Sequence, residues 1–472
     1  MFHFRRLSVL PLLFFITLVL SACETVNPPK WWEVPGTTPA PRGPAPSGTF
    51  DPTAQPRAGA EIPPWDPSQP TVQQEDAQVK AEEWMTQYDA RGGVRAARVG
   101  LLLPLTGRAS KVGQQIMNAA QLALFDFAGP RYELLPYDTQ STPEGAIQAA
   151  QYAISDGVSI IIGPLLSQSA QAISPFLQAA NVNALAFTND STAASQNVFV
   201  LGVRPEEEVE RIINFAALQG STRFALLTPA DEYGVRVRAA FESAVAANGM
   251  EVSKIVQFLS GTDDLAALIR EMADYDERRK ELLKQKKELE GKTDALSEKA
   301  LERLELLQTV GDVDFDALLV AAGGSTLQTI AANLPYFDVD PKKVRILGTS
   351  LWENNWVHAE PALQGGWFAA PSAKNRTDFV NQFKAVYGQN PHRLATLAYD
   401  AVALSAVLAN EEGEADYSRE TLTDPAGYLG RNGIFRLHPW GLAERGLSVM
   451  QVQQRQFREI SPSPNSFAPV TN

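Results

Sequence analysis

Seven side chains in the body of the chain stand where chemistry can be done. Thr106, Ser167, Ser169, Thr188 and Ser325 bring hydroxyls, Asp190 a carboxylate and Tyr233 a phenol, each after a short apolar run. Hydroxyls and backbone N–H groups at a helix start can hold an anion, and Ser167, Gln168 and Ser169 open such a helix. The same groups serve equally as ordinary helix caps, so both roles stay open. Tyr233, between a strand and Gly234, stacks on a ligand, closes a hinge or packs. Together the seven offer hydrogen bonds to a small polar ligand. They do not supply a nucleophile with a base beside it.

Motifs for catalysis are missing. Gly291-Lys292-Thr293 has the ending of a phosphate loop, but Lys286 stands where the upstream glycine belongs, and no apolar strand precedes it. The chain contains no G-x-S-x-G, S-x-x-K, H-E-x-x-H or G-x-G-x-x-G pattern. His358, His392 and His438 are far apart and read as surface or cap residues. The single Cys excludes a disulfide within the chain and a multi-thiolate zinc site. No catalytic residue, cofactor or metal is therefore expected. Lys plus Arg is 41 against 54 Asp plus Glu, a net charge of −13, which argues against a general nucleic-acid binder.

That one Cys has a telling position. Arg5 and Arg6 precede an apolar stretch over 7–20, followed by Leu20-Ser21-Ala22-Cys23. Fourteen residues of helix span only about 21 Å, short of a ~30 Å hydrocarbon core. The pattern is that of a secretory signal peptide over 1–22. Leu-Ser-Ala-Cys resembles the bacterial lipobox, which implies that Cys23 is lipidated and anchors the chain to a membrane. Glu24 in place of Asp leans toward the outer membrane.

Residues 27–70 hold 13 prolines and few aliphatics. Such a stretch cannot bury enough apolar surface to offset chain entropy, and extended proline-rich chain reaches on the order of 100 Å. Trp31, Trp32 and Trp65 stand out in it, as docking aromatics or a partner motif. Residues 71–90 are weakly helical. From 98 onward apolar strands alternate with amphipathic helices, which predicts βαβ units and a parallel sheet. Strands are expected over 99–103, 132–137, 158–162, 183–187, 223–228, 252–258, 315–320 and 344–347. Residues 274–309 break the pattern: they are dense in charge, with Leu282, Leu289 and Leu296 seven apart. We expect a helical hairpin turning at Gly291-Lys292-Thr293, its leucines packing one arm on the other. It is either a solvated projection or a partner-binding arm.

Val99–Gly107, Ile161-Ile162-Gly163-Pro164-Leu165-Leu166-Ser167, Thr228–Gly234 and Gly365–Pro371 resemble landmarks of the type I periplasmic binding proteins, Leu/Ile/Val branch. The resemblance implies an α/β fold of two Rossmann-like lobes joined by three crossovers, near 202–205, 366–371 and 431–435. One lobe then takes 98–203 and 371–432, the other 204–370 and 433–460, with a tail over 461–472. A ligand cleft lies between them, with the seven residues above as its candidates. Gln168 and Asp190 depart from the family's carboxylate-holding pattern, which speaks against Leu/Ile/Val binding. The lipobox, the tether, the charged insertion, Gly348-Thr349-Ser350-Leu351-Trp352 and Gly365-Gly366-Trp367-Phe368 look like the penicillin-binding-protein activator lipoproteins. That likeness implies a regulator touching a peptidoglycan synthase. The alternative is a receptor handing a small molecule to an ABC permease.

Overall fold

Ile160, Ile161 and Ile162 are all buried, yet successive residues belong to different cores: Ile160 and Ile162 to one, Ile161 to another. A strand alternates its side chains across the sheet, so an unbroken apolar run means helices on both faces. The computed structural model describes residues 97–259, 261, 264–409 and 415–467. The expected signal peptide, Cys23, the tether with its tryptophans and the helix over 71–90 lie outside the described residues.

The first sheet is built from β1 (Ala97–Leu103), α1 (Ser110–Phe127), β2 (Tyr132–Asp138), α2 (Pro143–Ser155), β3 (Ile160–Ile162), α3 (Ser167–Ala180), β4 (Asn183–Ala186) and β5 (Val198–Val200). Its strands run parallel in the order β2-β1-β3-β4-β5. Thr142 starts α2 by accepting the Gly145 N–H at 3.0 Å, with Pro143 at the first helical position.

The chain then crosses to a second sheet. Its elements are α4 (Pro205–Leu218), β6 (Arg223–Pro229), α5 (Glu232–Ala247), β7 (Glu251–Phe258), α6 (Leu265–Met272), α7 (Tyr275–Leu289), α8 (Ala295–Glu305), β8 (Ala317–Val320), α9 (Gly324–Asn333), β9 (Arg345–Gly348) and β10 (Trp367–Pro371). Helices α10 (Ala373–Tyr387) and α11 (Ala395–Leu408) return to the first lobe, where Phe379, Phe383 and Leu397 join the core of β1 and α1. A short helix α12 (Arg419–Leu422) leads to a small antiparallel sheet of β11 (Tyr428–Gly430), β12 (Gly433–Leu437) and β13 (Ala443–Arg445). Strands β14 (Leu447–Gln453) and β15 (Gln456–Ser461) complete the second sheet, in the order β15-β14-β10-β9-β8-β6-β7. Ala225 and Leu227 face one core and Phe224 and Leu226 the other, so this sheet too is covered on both faces. Each fully buried Leu or Phe of this kind stabilises by roughly 1.5–3 kcal/mol. The expected two α/β lobes with three crossings are thus present.

Two details differ from the sequence reading. The third crossing falls at 445–447 instead of 431–435, because Phe435, Leu437 and Ala443 pack into the first lobe's core. The segment over 433–445 therefore sits with the first lobe. The insertion does form two helices, α7 and α8, joined through Gly291 at φ +80°. Its leucines do not keep one seam, however: Leu282 is buried while Leu296 is 82% exposed. The turn restarts the helical phase, so a spacing of seven across it carries no register. The hairpin is pinned at its base. Arg278 Nη2 donates to the Gly311 carbonyl at 2.7 Å and to Asp338 Oδ2 at 3.0 Å.

Candidate functional site: the cleft between the lobes

The carboxyl ends of β1, β3 and β4 carry the first lobe's candidates. Thr106 follows β1, and its hydroxyl donates to Asp138 Oδ2 at 2.6 Å. Asp138 also takes the N–H of Leu105, Thr106 and Gln140, at 2.9, 3.1 and 2.8 Å. Burial pushes the Asp138 carboxyl up, but the Thr106 hydroxyl and these N–H groups outweigh it, and the net shift is down. Thr106 thus helps to build a rigid carboxylate loop. Thr188 is buried, and its hydroxyl accepts the Asp190 N–H at 3.0 Å. Ser169 is engaged within the first lobe. It is 1% exposed and gives its hydroxyl to the Thr142 carbonyl at 3.3 Å, tying the start of α3 to the start of α2.

Asp190 is held by the chain itself. Oδ1 accepts the Thr192 N–H at 2.9 Å and the Thr192 hydroxyl at 2.8 Å. Burial alone would raise it. The Thr192 bonds, the charge of Arg236 and the Ser167 hydroxyl together bring it below its ordinary value. The start of α3 therefore faces a carboxylate of its own chain.

The second lobe supplies Tyr233, positioned by the turn from β6 into α5. Asp231 caps that helix through the Gly234 N–H at 3.0 Å. A Cβ at Gly234 would meet the Pro229 carbonyl at 1.6 Å, so only glycine lets the helix start so close to the strand. The Tyr233 hydroxyl lies 3.3 Å from Thr349 Oγ1. Burial, and then the nearby Glu208, raises its pKa and keeps it protonated. Ser325 is exposed at the start of α9, where its carbonyl takes the Thr329 hydroxyl at 3.1 Å.

The residues that organise the cleft were missed from sequence. Glu206, Glu207 and Glu208 form the acidic first turn of α4, and each turns a different way. Glu206 binds Arg236, Nε to Oε1 at 2.7 Å and Nη2 to Oε2 at 2.9 Å. The same Arg236 Nη2 reaches across to the Asn189 carbonyl of the first lobe at 2.8 Å. Glu207 pairs with Arg204 at 2.9 Å and accepts the Arg445 N–H at 3.3 Å, beside the crossings at 201–205 and 445–447. Glu208 is buried under the cleft, accepting the Ser350 N–H at 3.3 Å. Burial pushes it up to about 8, opposed by Ser350 and Arg393 and reinforced by Glu353.

A second bridge spans the lobes. Arg376 on α10 of the first lobe meets Glu353, which follows β9 of the second, Nη1 to Oε2 at 2.8 Å and Nη2 to Oε1 alongside. Burial alone would lower the guanidinium; the bond and charge of Glu353 reverse that. The cleft is thus a polar seam with a buried carboxylate beneath it and own-chain ion pairs across it. Among the described residues, no group of three or more His, Cys, Asp or Glu converges as a metal site.

Comparison with known proteins places this geometry. The periplasmic binding protein family model matches residues 96–456. A penicillin-binding protein activator LpoA of Histophilus somni is 32% identical over 148 residues, 30% of this chain and 24% of that protein. A Leu/Ile/Val-binding protein BraC3 of Rhizobium johnstonii is 26% identical over 183 residues, 36% of this chain and 49% of that one. The match thus spans between a quarter and a half of these relatives' length. The structure of a branched chain amino acid ABC transporter periplasmic ligand-binding protein from Burkholderia xenovorans superposes with a TM-score of 0.58. It is 17% identical, with 79% of this chain and 97% of that chain covered.

Proposed function

The chain belongs to the periplasmic binding protein family, and from that premise we propose a non-enzymatic periplasmic lipoprotein that regulates peptidoglycan synthesis by contact with a synthase. One observation carries the reading: Arg376–Glu353 and Arg236–Asn189 span the cleft with the chain's own groups. A solute receptor offers such donors to its ligand; here they tie lobe to lobe. The projecting hairpin and the likeness to penicillin-binding protein activators agree with a contact protein. The lipobox at Cys23 and the proline-rich tether over 27–70 agree with an anchored one that reaches a partner at a distance.

The second reading, a substrate-binding receptor of an ABC transporter, is favoured by the polar floor of Glu208, Ser350, Thr349 and Tyr233 beneath the seam. A pull-down from envelope membranes with the full chain as bait separates the two. Recovery of a penicillin-binding protein supports regulation; recovery of a permease in its place overturns it. Metabolic labelling with a fatty acid should mark the wild type and not Cys23→Ser.

A further inference from the structure

A cavity lies in the first lobe, outside the cleft. It measures about 460 Å³ and is walled by Phe127, Tyr399, Leu404, Val407, Tyr428 and Leu429. That volume falls within the range of small-molecule sites. Its rim is unusually apolar for a water-facing surface: Phe127 is 45%, Val407 66% and Leu429 77% exposed.

Polar groups are few and unequal. Asp400 is part of the wall itself, where the Arg431 charge acts on it, and Asp126 stands behind Tyr399; both carboxylates are committed. Asp126 accepts the Tyr399 hydroxyl at 2.6 Å and Gln382 Nε2 at 3.0 Å. Asp400 accepts the Arg431 N–H at 2.6 Å and the Asn432 N–H at 3.4 Å. Gly430 makes the floor, since a Cβ there would meet the Asp400 carboxylate at 2.5 Å. Arg431 differs. Its guanidinium lies 4.7 Å from the Tyr399 ring centre and gives one bond, Nη2 to the Tyr399 hydroxyl at 2.7 Å. A guanidinium carries five N–H donors, so most of this one remains to meet an acceptor.

A largely apolar chamber, whose one carboxylate is already held by backbone N–H groups and whose one guanidinium has donors to spare, selects one chemistry. We propose that this cavity binds an amphiphilic monoanion, with its apolar chain or ring against Phe127, Leu404 and Leu429 and its carboxylate on Arg431. The site is independent of the cleft and of the reading given to it above.

Calorimetry of the full chain with sodium decanoate, kept below its micellar concentration, tests this. Sodium benzoate serves as the ring-shaped counterpart and decanol as the uncharged one. One saturable site per chain is expected for decanoate or for benzoate, and which of them binds assigns chain or ring. Ala403→Trp, which fills the cavity, should abolish it. Arg431→Gln should weaken the anion about tenfold, the loss of one charge-assisted contact, and leave decanol unchanged. Leu429→Asp, at an exposed rim position where folding is not at stake, should also weaken the anion. Absence of saturable binding by both anions overturns the proposal. So does binding that survives Ala403→Trp, or that disappears only in Arg376→Ala, which would put the ligand in the cleft.

Discussion

Arg376 holds Glu353 across the cleft in a two-pronged grip, with Nη1 2.8 Å from Oε2 and Nη2 on Oε1. The planar fork of arginine matches a carboxylate in this way, where lysine offers a point charge. The side chains are 25% and 20% exposed, so the pair is neither freely solvated nor fully buried. Arg376→Ala should cost roughly 1–3 kcal/mol, between the surface and buried cases, and let the lobes part. Chemical denaturation reads the first effect and an increased radius of gyration in small-angle scattering the second. Arg376→Ala with Glu353→Ala should recover stability, since no lone charge is left behind. If the single variant keeps both its stability and its radius, the pair does not latch the cleft.

Arg445 performs a related task at the hinge. It is buried, gives Nε and Nη2 to the Leu201 carbonyl at 3.0 and 2.6 Å, and lies beside Glu207. Burial raises Glu207 in spite of Arg204 and Arg445. Arg445→Met removes a charge that Glu207 needs and two hydrogen bonds to the first crossing. A loss of about 3–5 kcal/mol is expected, the range for breaking a buried pair from one side. Urea unfolding of wild type and variant measures it, and a loss below 1 kcal/mol would assign the hinge to backbone packing alone.

Glu208 should make stability depend on pH. Folded, it is pushed up from 4.5 to about 8, so the native chain keeps a proton that the unfolded chain releases above pH 4.5. Stability then falls as pH rises. The contribution is complete below about pH 4.5 and is lost as the pH passes 8. Asp400, pushed up to about 6, acts in the same direction at lower pH. Between pH 7 and 9 the wild type should therefore lose stability, and Glu208→Gln should lose less. Parallel denaturant midpoints for the two proteins across that range would refute the assignment.

What could be read from sequence, and what could not, divides by the range of the interactions. β1, β3 and β6 announced themselves because a strand buried on both faces needs an unbroken apolar run. β5 went unread: Val198, Phe199 and Val200 form a run as short as that of β3, but without the Gly163-Pro164 that closes β3. The small sheet of β11 to β13 also went unread, and with it the position of the third crossing. The cleft pairs left no local trace. Arg376 and Glu353 are 23 residues apart, Arg236 and Asn189 47. Glu206, Glu207 and Glu208 read alike as an acidic helix start; only the packing of α4 on the second sheet, with its first turn beside the first crossing, sends each to a different partner.

The hairpin should be dispensable for folding if its root is spared. Arg278 ties the root to Gly311 and Asp338, and Leu282 is the single buried side chain of α7. α8 buries none. Replacing 284–302 by a short Gly-Ser turn should thus change the melting temperature little, while Arg278→Ala should lower it clearly. If the hairpin is the contact arm, the shortened chain should also recover less synthase from membranes. Intact folding with undiminished recovery would move the contact to the lobes or the tether.

Leucine, isoleucine and valine should bind weakly or not at all. An amino acid needs hydrogen-bond donors for its carboxylate, and the start of α3 is the natural place for them. There the Ser167 hydroxyl already supports Asp190, whose own negative charge would stand beside the ligand's. Thr106 and Thr188, the other hydroxyls nearby, are engaged with Asp138 and the Asp190 N–H. A carboxylate entering the site must either displace Asp190 from Thr192 or share the space with it, and like charges in a half-dry cleft repel strongly. Titration calorimetry should give no micromolar binding for any of the three. Asp190→Asn, which keeps the acceptor for Thr192 and removes the charge, should raise affinity if repulsion is the obstacle. Micromolar binding by the wild-type chain would show that the site accommodates an amino acid after all, and would promote the receptor reading over the regulator.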